Sequence, residues 1–207
     1  MQVWKECECL PAKRVKRIMK MSEITPEMQN KTFENFETVN KSNQVKYAKD
    51  IAATYYLKFD EIRQQRNNSF AIVGQVGSGK THLLFAICNA LIVDGVQVIY
   101  FPYVEGMNDL KSKFDLLEEK TDRLKKASVL FIDDLFKGRD KPTDWQIEMM
   151  FAIINYRYLN HLPILLTSEK DYDTLLEIDE AIGSRIYEMT RGYRFVFKGK
   201  ELNYRLK

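Results

Sequence analysis

Residues 70–81 read FAIVGQVGSGKT, an apolar run followed directly by a glycine-rich turn. The last eight residues, Gly74–Thr81, match the pattern G-x-x-x-x-G-K-[ST] of a phosphate-binding loop, or P-loop. Its glycines let the backbone curl so that successive N–H groups point at phosphate oxygens, and the helix that follows adds its positive end. Because the motif lies between a predicted strand and a predicted helix, it predicts a nucleotide-binding α/β fold.

The residues of this loop are predicted to bind Mg-ATP. The Lys80 ammonium is expected to reach the β- and γ-phosphates, and the Thr81 hydroxyl to hold Mg²⁺. The predicted nucleotide contacts in this segment are Gly74, Gln75, Val76, Gly77, Ser78, Gly79, Lys80, Thr81 and His82.

An apolar run that ends in two acids supplies the second half of the predicted site. Residues 129–134 read VLFIDD, so a strand would deliver both carboxylates to the carboxyl edge of the sheet, where open α/β sheets bind ligands. Asp133 is predicted to hold the hydration shell of Mg²⁺, and Asp134 to orient or deprotonate the attacking water. Two such acids alone would equally fit a turn, but the P-loop upstream favours the magnesium site.

Short apolar runs alternate with helical periodicity along the rest of the chain. This alternation implies parallel strands joined by right-handed crossovers, an α/β fold with helices on both faces of the sheet. Helices are predicted at 42–66, 80–93, 104–124, 143–160, 172–177 and 179–189, and strands at 70–73, 96–101, 128–132, 163–167 and 193–197.

The composition argues against several other classes of protein. The 207 residues carry 32 Lys and Arg against 29 Asp and Glu, and the net charge of +3 is too small to indicate a nucleic-acid-binding protein by itself. The longest apolar run, residues 83–93, is too short to cross a bilayer, and no apolar signal segment opens the chain. Three cysteines do not make a disulfide framework. We therefore expect a cytoplasmic protein without membrane contact.

Residues 1–30 differ from the rest and are predicted to form a basic arm. Val15, Ile18 and Met19 fall at helical spacing inside a basic run, which favours a short amphipathic helix. Such a helix would dock in a partner's groove through its apolar stripe. DNA phosphate is a competing target for its charges, and a solvated arm is the third interpretation. The charges are Lys13, Arg14, Lys16, Arg17 and Lys20.

Two polar groups nearer the carboxyl end are further candidates. Thr167 and Ser168 follow an apolar strand and could read a γ-phosphate, although a simple helix cap explains them equally well. Arg185, in the run Gly183-Ser184-Arg185, is either an ordinary surface cation or an arginine finger for a neighbouring subunit.

Together these segments resemble the AAA+ ATPases, and among them the bacterial and phage helicase loaders of the DnaC/DnaI type. The resemblance covers residues 31–207. It is carried by 32–36 (TFENF), 74–81 (GQVGSGKT), 130–135 (LFIDDL), 155–158 (NYRY), 166–168 (LTS) and 182–186 (IGSRI). The P-loop alone indicates only an NTPase, whereas the other segments in combination are more specific.

The resemblance implies one AAA+ domain over residues 31–207, with a five-stranded parallel sheet in the order 5-1-4-3-2 and little or no carboxyl-terminal lid domain. It implies ATP as the nucleotide and self-association, with Arg185 as a finger acting on a neighbouring subunit. Phe33 and Phe36 would lie near the adenine. The segment from about 103 to 124 would help to bind single-stranded DNA.

Two departures from the family pattern bear on function. Glu169 stands where the family usually has an asparagine as its first sensor, and an acid there would repel a γ-phosphate. Sensing would then fall to Thr167 or Ser168, or be weakened. Loaders of this type often carry a zinc-binding region, of which Cys7 and Cys9 remain; two thiolates are too few for a tetrahedral site, so no zinc is expected.

Aromatic and basic residues around 100–113 are candidates for holding a single strand of DNA. Rings at Tyr100, Phe101 and Tyr103, with cations at Lys111 and Lys113, combine stacking and charge in the usual way. The alternative is that the rings belong to the core and the lysines to a solvated helix face.

The sequence therefore predicts an ATPase that binds a replicative DnaB-type helicase and delivers it to single-stranded DNA. Two alternatives stay open. One is a transposition helper ATPase of the IstB type that acts on duplex DNA, and the other is a nucleotide-switched binding module with negligible turnover, which Glu169 would favour. The fold does not choose among the three.

Overall fold

The computed structural model describes residues 9–138 and 141–206. Residues 1–8 of the predicted arm, with Cys7 of the Cys7–Cys9 pair, lie outside this range. The helices are α1 Cys9–Met21, α2 Pro26–Gln29, α3 Asn43–Ile62, α4 Lys80–Val93, α5 Tyr103–Ser112, α6 Leu117–Lys126, α7 Asp144–Leu159, α8 Tyr172–Ile178 and α9 Glu180–Met189. The strands are β1 Phe70–Gly74, β2 Val98–Pro102, β3 Val129–Asp133, β4 Ile164–Ser168 and β5 Arg194–Phe197.

The five strands form one parallel sheet in the order β2-β3-β4-β1-β5. This is the predicted order read from the other edge, so the expected fold class is confirmed. In the register, Val73 of β1 lies opposite Ser168 of β4, and Ile132 of β3 lies opposite Leu166. The carboxyl ends of these three strands therefore meet at one edge of the sheet.

Both faces of the sheet are covered, because side chains alternate along each strand. In β1, Phe70 and Ile72 belong to a core shared with α3 and α4, whereas Ala71 and Val73 belong to a second core shared with α5, α7 and α9. Every strand but β5 is buried almost throughout. Burial on both sides explains why the strands are continuous apolar runs in the sequence.

The apolar run at residues 83–93 forms most of α4, which lies between α3 and the sheet. Its side chains are buried nearly all round, so it has no polar face. Within residues 9–138 and 141–206, no helix is both long enough and apolar enough to span a membrane.

The apolar stripe of the predicted arm packs against the protein's own core. Val15, Ile18 and Met19 of α1 lie on the core that contains α4. The chain after α1 is fixed as well, since Asn89 of α4 donates hydrogen bonds to the carbonyls of Met28, Gln29 and Lys31. The predicted docking of this stripe in a partner's groove is therefore wrong: the partner of the stripe is the chain itself.

The single helix predicted at 104–124 is two helices, α5 and α6, separated by a 3-10 turn at residues 114–116. Lys113 has φ −117° and ψ 61°, which ends α5. No proline or glycine stands at this break, and the one glycine of the segment, Gly106, lies inside α5. Helical periodicity alone therefore predicted one continuous helix where the structure has two.

Candidate functional site

The P-loop connects β1 to α4 and is shaped by its glycines. Gly77 and Gly79 have φ values of 72° and 94°, in the left-handed region that favours glycine. A Cβ on Gly79 would lie 2.8 Å from Cε2 of Phe36, and one on Gly77 would collide with the side chain of Asn203. Since α4 begins at Lys80, the positive end of that helix lies at the loop.

Lys80 folds back over the loop. Its Nζ donates hydrogen bonds to the carbonyl oxygens of Gly74 at 2.8 Å and Gln75 at 2.7 Å, and the side chain is 5% exposed. Burial lowers the pKa of the Lys80 ammonium, and the nearby carboxylates of Asp134 and Glu169 oppose that shift. The loop therefore holds a cation at its centre, and the predicted contact of Lys80 with phosphates stays a prediction.

Thr81 and Asp133 meet at the end of β3, as the sequence predicted for a magnesium site. The Thr81 hydroxyl donates to Oδ1 of Asp133 at 3.0 Å. Thr167 donates to the same oxygen at 2.5 Å, and Tyr100 donates to Oδ2 at 3.2 Å. Burial raises the pKa of Asp133, and the hydroxyl donors oppose that shift. A hydroxyl and a carboxylate oxygen side by side are the hard oxygen donors that Mg²⁺ takes, so the residues fit that ion.

Asp134 begins a turn that is held against β4. Asp134 and Phe136 both have φ of 57°, which is uncommon for residues other than glycine. The Thr167 hydroxyl accepts the N–H of Asp134 at 2.7 Å, and the Ser168 hydroxyl donates to the carbonyl of Leu135 at 2.8 Å. Such a strained turn persists only where its surroundings fix it. It places Asp134 beside the P-loop.

Thr167 and Ser168 therefore differ from the prediction for them. Both are fully buried, and their hydroxyls bond to the turn after β3 rather than facing the cavity beside the P-loop. Thr167 holds Asp133 and Asp134, and Ser168 holds the carbonyl of Leu135. These contacts form because β3 and β4 are neighbours, a pairing that a sequence reveals only after the strand order is known.

A cavity of about 320 Å³ opens beside the P-loop and next to Asp134. Apart from the loop, its lining includes six residues that the sequence analysis missed, namely Glu27, Met28, Lys31, Phe85, Lys137 and Arg205. They come from α2 and the residues just after it, from α4, from the turn after β3 and from the last residues described, so they are far apart in the chain. No motif marks them; the only local signal was a lysine three residues after Asp134.

Lys137 makes ion pairs with two acids of this cavity. Its Nζ lies 2.6 Å from Oδ2 of Asp134 and 3.1 Å from Oε1 of Glu169. Burial lowers the pKa of Lys137, but the hydrogen bonds to the two carboxylates outweigh it and raise that pKa above its ordinary value. The charge of the acid at position 169 is thus partly compensated within the chain, by a cation that it shares with Asp134.

The segment at residues 32–36 lies beside the P-loop, with its two phenylalanines in different places. Phe36 is buried against Gly79 and meets the His82 ring edge-on, with the centroids 5.1 Å apart. The Nε2 of His82 lies 3.1 Å from the carbonyl oxygen of Thr32. Phe33 packs against Tyr56 and does not line the cavity. Of the predicted adenine contacts, only Phe36 adjoins the loop.

The chain after β5 returns to the P-loop. The N–H of Tyr204 donates to the carbonyl of Gly77 at 3.1 Å, and the Tyr204 hydroxyl accepts the N–H of Ser42 at 3.0 Å. Asn203 lies against Gly77, and Arg205 lines the cavity. Residues 203–205 are therefore part of the site although no sequence pattern indicated it.

Arg185 lies away from this cavity, on the surface formed by α7 and α9. Its Nε donates to Oδ1 of Asn155 at 2.9 Å, and its guanidinium stacks over the rings of Phe151 and Tyr158 at 5.2 and 5.3 Å. Because it does not line its own chain's P-loop cavity, its predicted role as a finger in a neighbouring subunit stays a prediction.

The aromatic residues predicted to stack on DNA are core residues. Tyr100, Phe101 and Tyr103 are 8%, 6% and 2% exposed, and Tyr100 hydrogen-bonds Asp133. The prediction of an open stacking surface at these rings is wrong, because β2 and the start of α5 turn them inward. Lys113 forms an exposed ion pair with Asp109, as expected of a solvated helix face.

A five-stranded parallel sheet with this strand order, a P-loop after β1 and paired acids after β3 define the AAA+ class of P-loop proteins. Within that class, residues 28–191 match the family model of the bacterial DnaA ATPase domain. The chain belongs to that family.

Two relatives come from Bacillus subtilis (strain 168). The protein YqaM is 50% identical over 208 residues, covering 98% of this chain, and the phage-like element PBSX protein XkdC is 49% identical over 212 residues, covering all of it. The chain spans 66% of the length of the first and 80% of the second.

Solved structures share the fold at lower identity. The DnaC helicase loader has a TM-score of 0.70 at 23% identity, covering 84% of this chain and 100% of that one. DnaI has a TM-score of 0.68 at 24% identity, with coverages of 85% and 95%. The replication initiator DnaA bound to AMPPCP and single-stranded DNA has a TM-score of 0.67 at 22% identity, with coverages of 86% and 51%.

Proposed function

We propose that this chain is an ATPase of the helicase-loader kind, which binds a replicative ring helicase of the DnaB type and delivers it to single-stranded DNA. The observation that carries the ATPase part is the 3.0 Å hydrogen bond between Thr81 and Asp133 beside a glycine-bent loop that holds Lys80. The likeness of the fold to the DnaC loader and to DnaI supports the loader part.

In this proposal each residue acts on bound Mg-ATP, in which the metal ion neutralises developing charge on the phosphates. Thr81 and Asp133 hold the ion, and the loop N–H groups with Lys80 bind the phosphates. Asp134 orients the attacking water and accepts its proton. The turn bonded to Thr167 holds Asp134 in place for that task.

The partner and the DNA are proposals that rest on the relatives. The DnaA structure contains a nucleotide analogue and single-stranded DNA, which supports ATP and a single strand as ligands here. The 49% identity to a protein of a phage-like element supports a role in the replication of phage DNA. No observation favours duplex-DNA transposition, and Lys137 weakens the case for a switch without turnover, because it offsets part of the charge at Glu169.

The ATPase part is tested with Lys80→Ala and Asp134→Asn. We expect Lys80→Ala to abolish ATP binding, because phosphate charge would be left uncompensated in the cavity. Asp134→Asn should bind ATP and lose about 10²–10⁴-fold in hydrolysis rate, the usual contribution of a general base. Calorimetric titration and phosphate release give the two measurements.

Two exposed positions provide matched controls, Lys46→Ala on α3 and Asp173→Asn on α8. Both should behave as the unmodified protein. Unchanged turnover in Asp134→Asn would show that this acid does not position the water.

The loader part is tested by mixing the protein with the replicative helicase of its host. We expect the two to co-elute in the presence of ATP, and the helicase to transfer to a circular single strand that it cannot thread unaided. A preference for duplex DNA without helicase binding would instead favour the transposition helper. Absence of hydrolysis with helicase and DNA present would favour the binding module.

A further inference from the structure

Three charged side chains meet at the end of the P-loop cavity nearest the paired acids. Lys137 lies between Asp134 and Glu169, 2.6 Å from the first and 3.1 Å from the second. All three line the cavity together with Lys80. Their side chains are 39%, 26% and 32% exposed, so the cluster is open to a ligand and partly shielded from solvent.

The donors of Lys137 are suited to a further anion. An ammonium group has three N–H donors, and these two carboxylates engage two of them. Two fixed partners also hold a long side chain in one place, which removes much of the entropy that a solitary lysine loses on binding. Lys137 is thus a positioned cation with one donor available to an oxygen of a ligand in the cavity.

The charges also require such a cation. Asp134 and Glu169 face the same cavity as the P-loop, and without Lys137 both would repel a polyanion there. Lys80 makes its hydrogen bonds to the carbonyls of Gly74 and Gln75, not to these acids. In P-loop proteins the acid that helps to hold Mg²⁺ lies beside the β- and γ-phosphates, which the ion bridges. Asp133 at the end of β3 is the corresponding acid here. A cation held by the next residue, Asp134, therefore belongs to the γ-phosphate end of a nucleotide.

We propose that Lys137 binds the terminal phosphate of a nucleoside triphosphate, with Asp134 and Glu169 holding its ammonium in position. Glu169 is then a positioning residue rather than an obstacle. The pair Lys137–Glu169, which follows β3 and β4, senses the γ-phosphate in place of a neutral side chain at position 169. This assignment deepens the proposed ATPase function and rests on it.

The test compares affinity for AMPPCP, which carries a terminal phosphate, with affinity for ADP, each with Mg²⁺. We expect Lys137→Met to weaken AMPPCP binding about tenfold, the worth of one charge-assisted hydrogen bond, and to change ADP binding less than about twofold. Lys170→Met removes the same charge one residue from Glu169 but outside the cavity lining, and it should leave both affinities unchanged.

The charge that Lys137 offsets at Glu169 has its own readout. Glu169→Gln in the Lys137→Met background should recover part of the lost AMPPCP affinity, because it removes an uncompensated carboxylate from the cavity. A purely structural role of the ion pair would give no such recovery. Melting temperatures of all variants show whether each one folds.

The outcomes separate this inference from the proposed function. If the unmodified protein binds neither nucleotide, the ATPase proposal fails. If it binds both, and Lys137→Met lowers both affinities equally or neither, only the role of Lys137 is overturned. Selective loss of AMPPCP in Arg205→Met but not in Lys137→Met would assign the terminal phosphate to the cation at position 205 instead.

Discussion

Arg157 is fully buried and bonds to backbone carbonyls rather than to an acid. Its guanidinium donates to the carbonyls of Leu124 at 2.9 Å, Ala127 at 2.8 Å and Pro163 at 2.6 Å. These carbonyls lie at the end of α6, before β3 and before β4. One side chain thus satisfies the turns that lead into two neighbouring strands, which explains an arginine on the buried side of α7.

Replacement of Arg157 should lower the stability of the fold and have less effect on ATP hydrolysis. In Arg157→Met the aliphatic volume is retained but several buried carbonyls lose their donors, and we expect a loss of about 3 kcal/mol or more in the free energy of unfolding. Arg157→Lys should recover little, since an ammonium cannot span the same carbonyls. Urea denaturation measures both, with the exposed Arg191→Met as control; a loss within about 0.5 kcal/mol would show that the carbonyls find other donors.

At the same scale, the sequence identified the residues whose roles depend on local spacing. The meeting of Thr81 with Asp133 follows from a motif and a strand end, and the structure places the two at 3.0 Å. Lys137 and Arg205 could not be identified in this way, because they reach the cavity through a left-handed turn and through a returning chain segment. Such contacts depend on tertiary packing, for which a single sequence carries no periodic signal.

At the scale of elements, α1 shows how an amphipathic pattern predicts a buried face without naming what covers it. Val15 and Ile18 pack on the core of the same molecule, while Lys13, Lys16, Arg17 and Lys20 are exposed. The sequence pattern predicted the helix and its apolar and basic faces correctly. It could not tell a partner's groove from the chain's own surface, since both accept the same stripe.

The double variant Val15→Ser with Ile18→Ser should therefore lower stability. Both side chains are partly buried, and losing their apolar contact should reduce the free energy of unfolding by about 1–3 kcal/mol. Thermal melting measures the effect. Lys16→Ser with Lys20→Ser introduces two serines on the exposed face of the same helix. It loses only a few tenths of a kcal/mol per residue in helix propensity and should melt nearly as the unmodified protein does. An unaltered melting temperature in the first variant would mean that the stripe is free to meet another molecule.

At the scale of the whole molecule, the P-loop cavity is not lined by Arg185, the candidate arginine finger on α9 of the same chain. Arg185 is held by Asn155 and by the rings of Phe151 and Tyr158, on a surface outside the P-loop cavity. Arg185 does not line the P-loop cavity of its own chain, so a finger role for it would require a neighbouring copy. The proposed assembly would thus complete each site between two copies.

Hydrolysis should then rise more steeply than linearly with protein concentration. Arg185→Ala should bind ATP normally and hydrolyse it about a thousandfold more slowly, as is usual for arginine fingers. Addition of excess Lys80→Ala protein, which cannot bind ATP but retains Arg185, should restore part of that activity. The exposed Arg191→Ala serves as control. Failure of this mixture to recover any turnover would mean that the finger does not act in trans.

Residues 203–205 contact the P-loop, so the conformation of the phosphate-binding loop depends on the position of the chain after β5. Tyr204 bonds Gly77 with its N–H and Ser42 with its hydroxyl, so the loop, this segment and the entrance to α3 share one set of contacts. Coupling of this kind is reciprocal: whatever steadies the loop steadies the segment by the same free energy. A macromolecule that pulled residues 203–205 aside would thereby act as a nucleotide-release factor without touching the nucleotide.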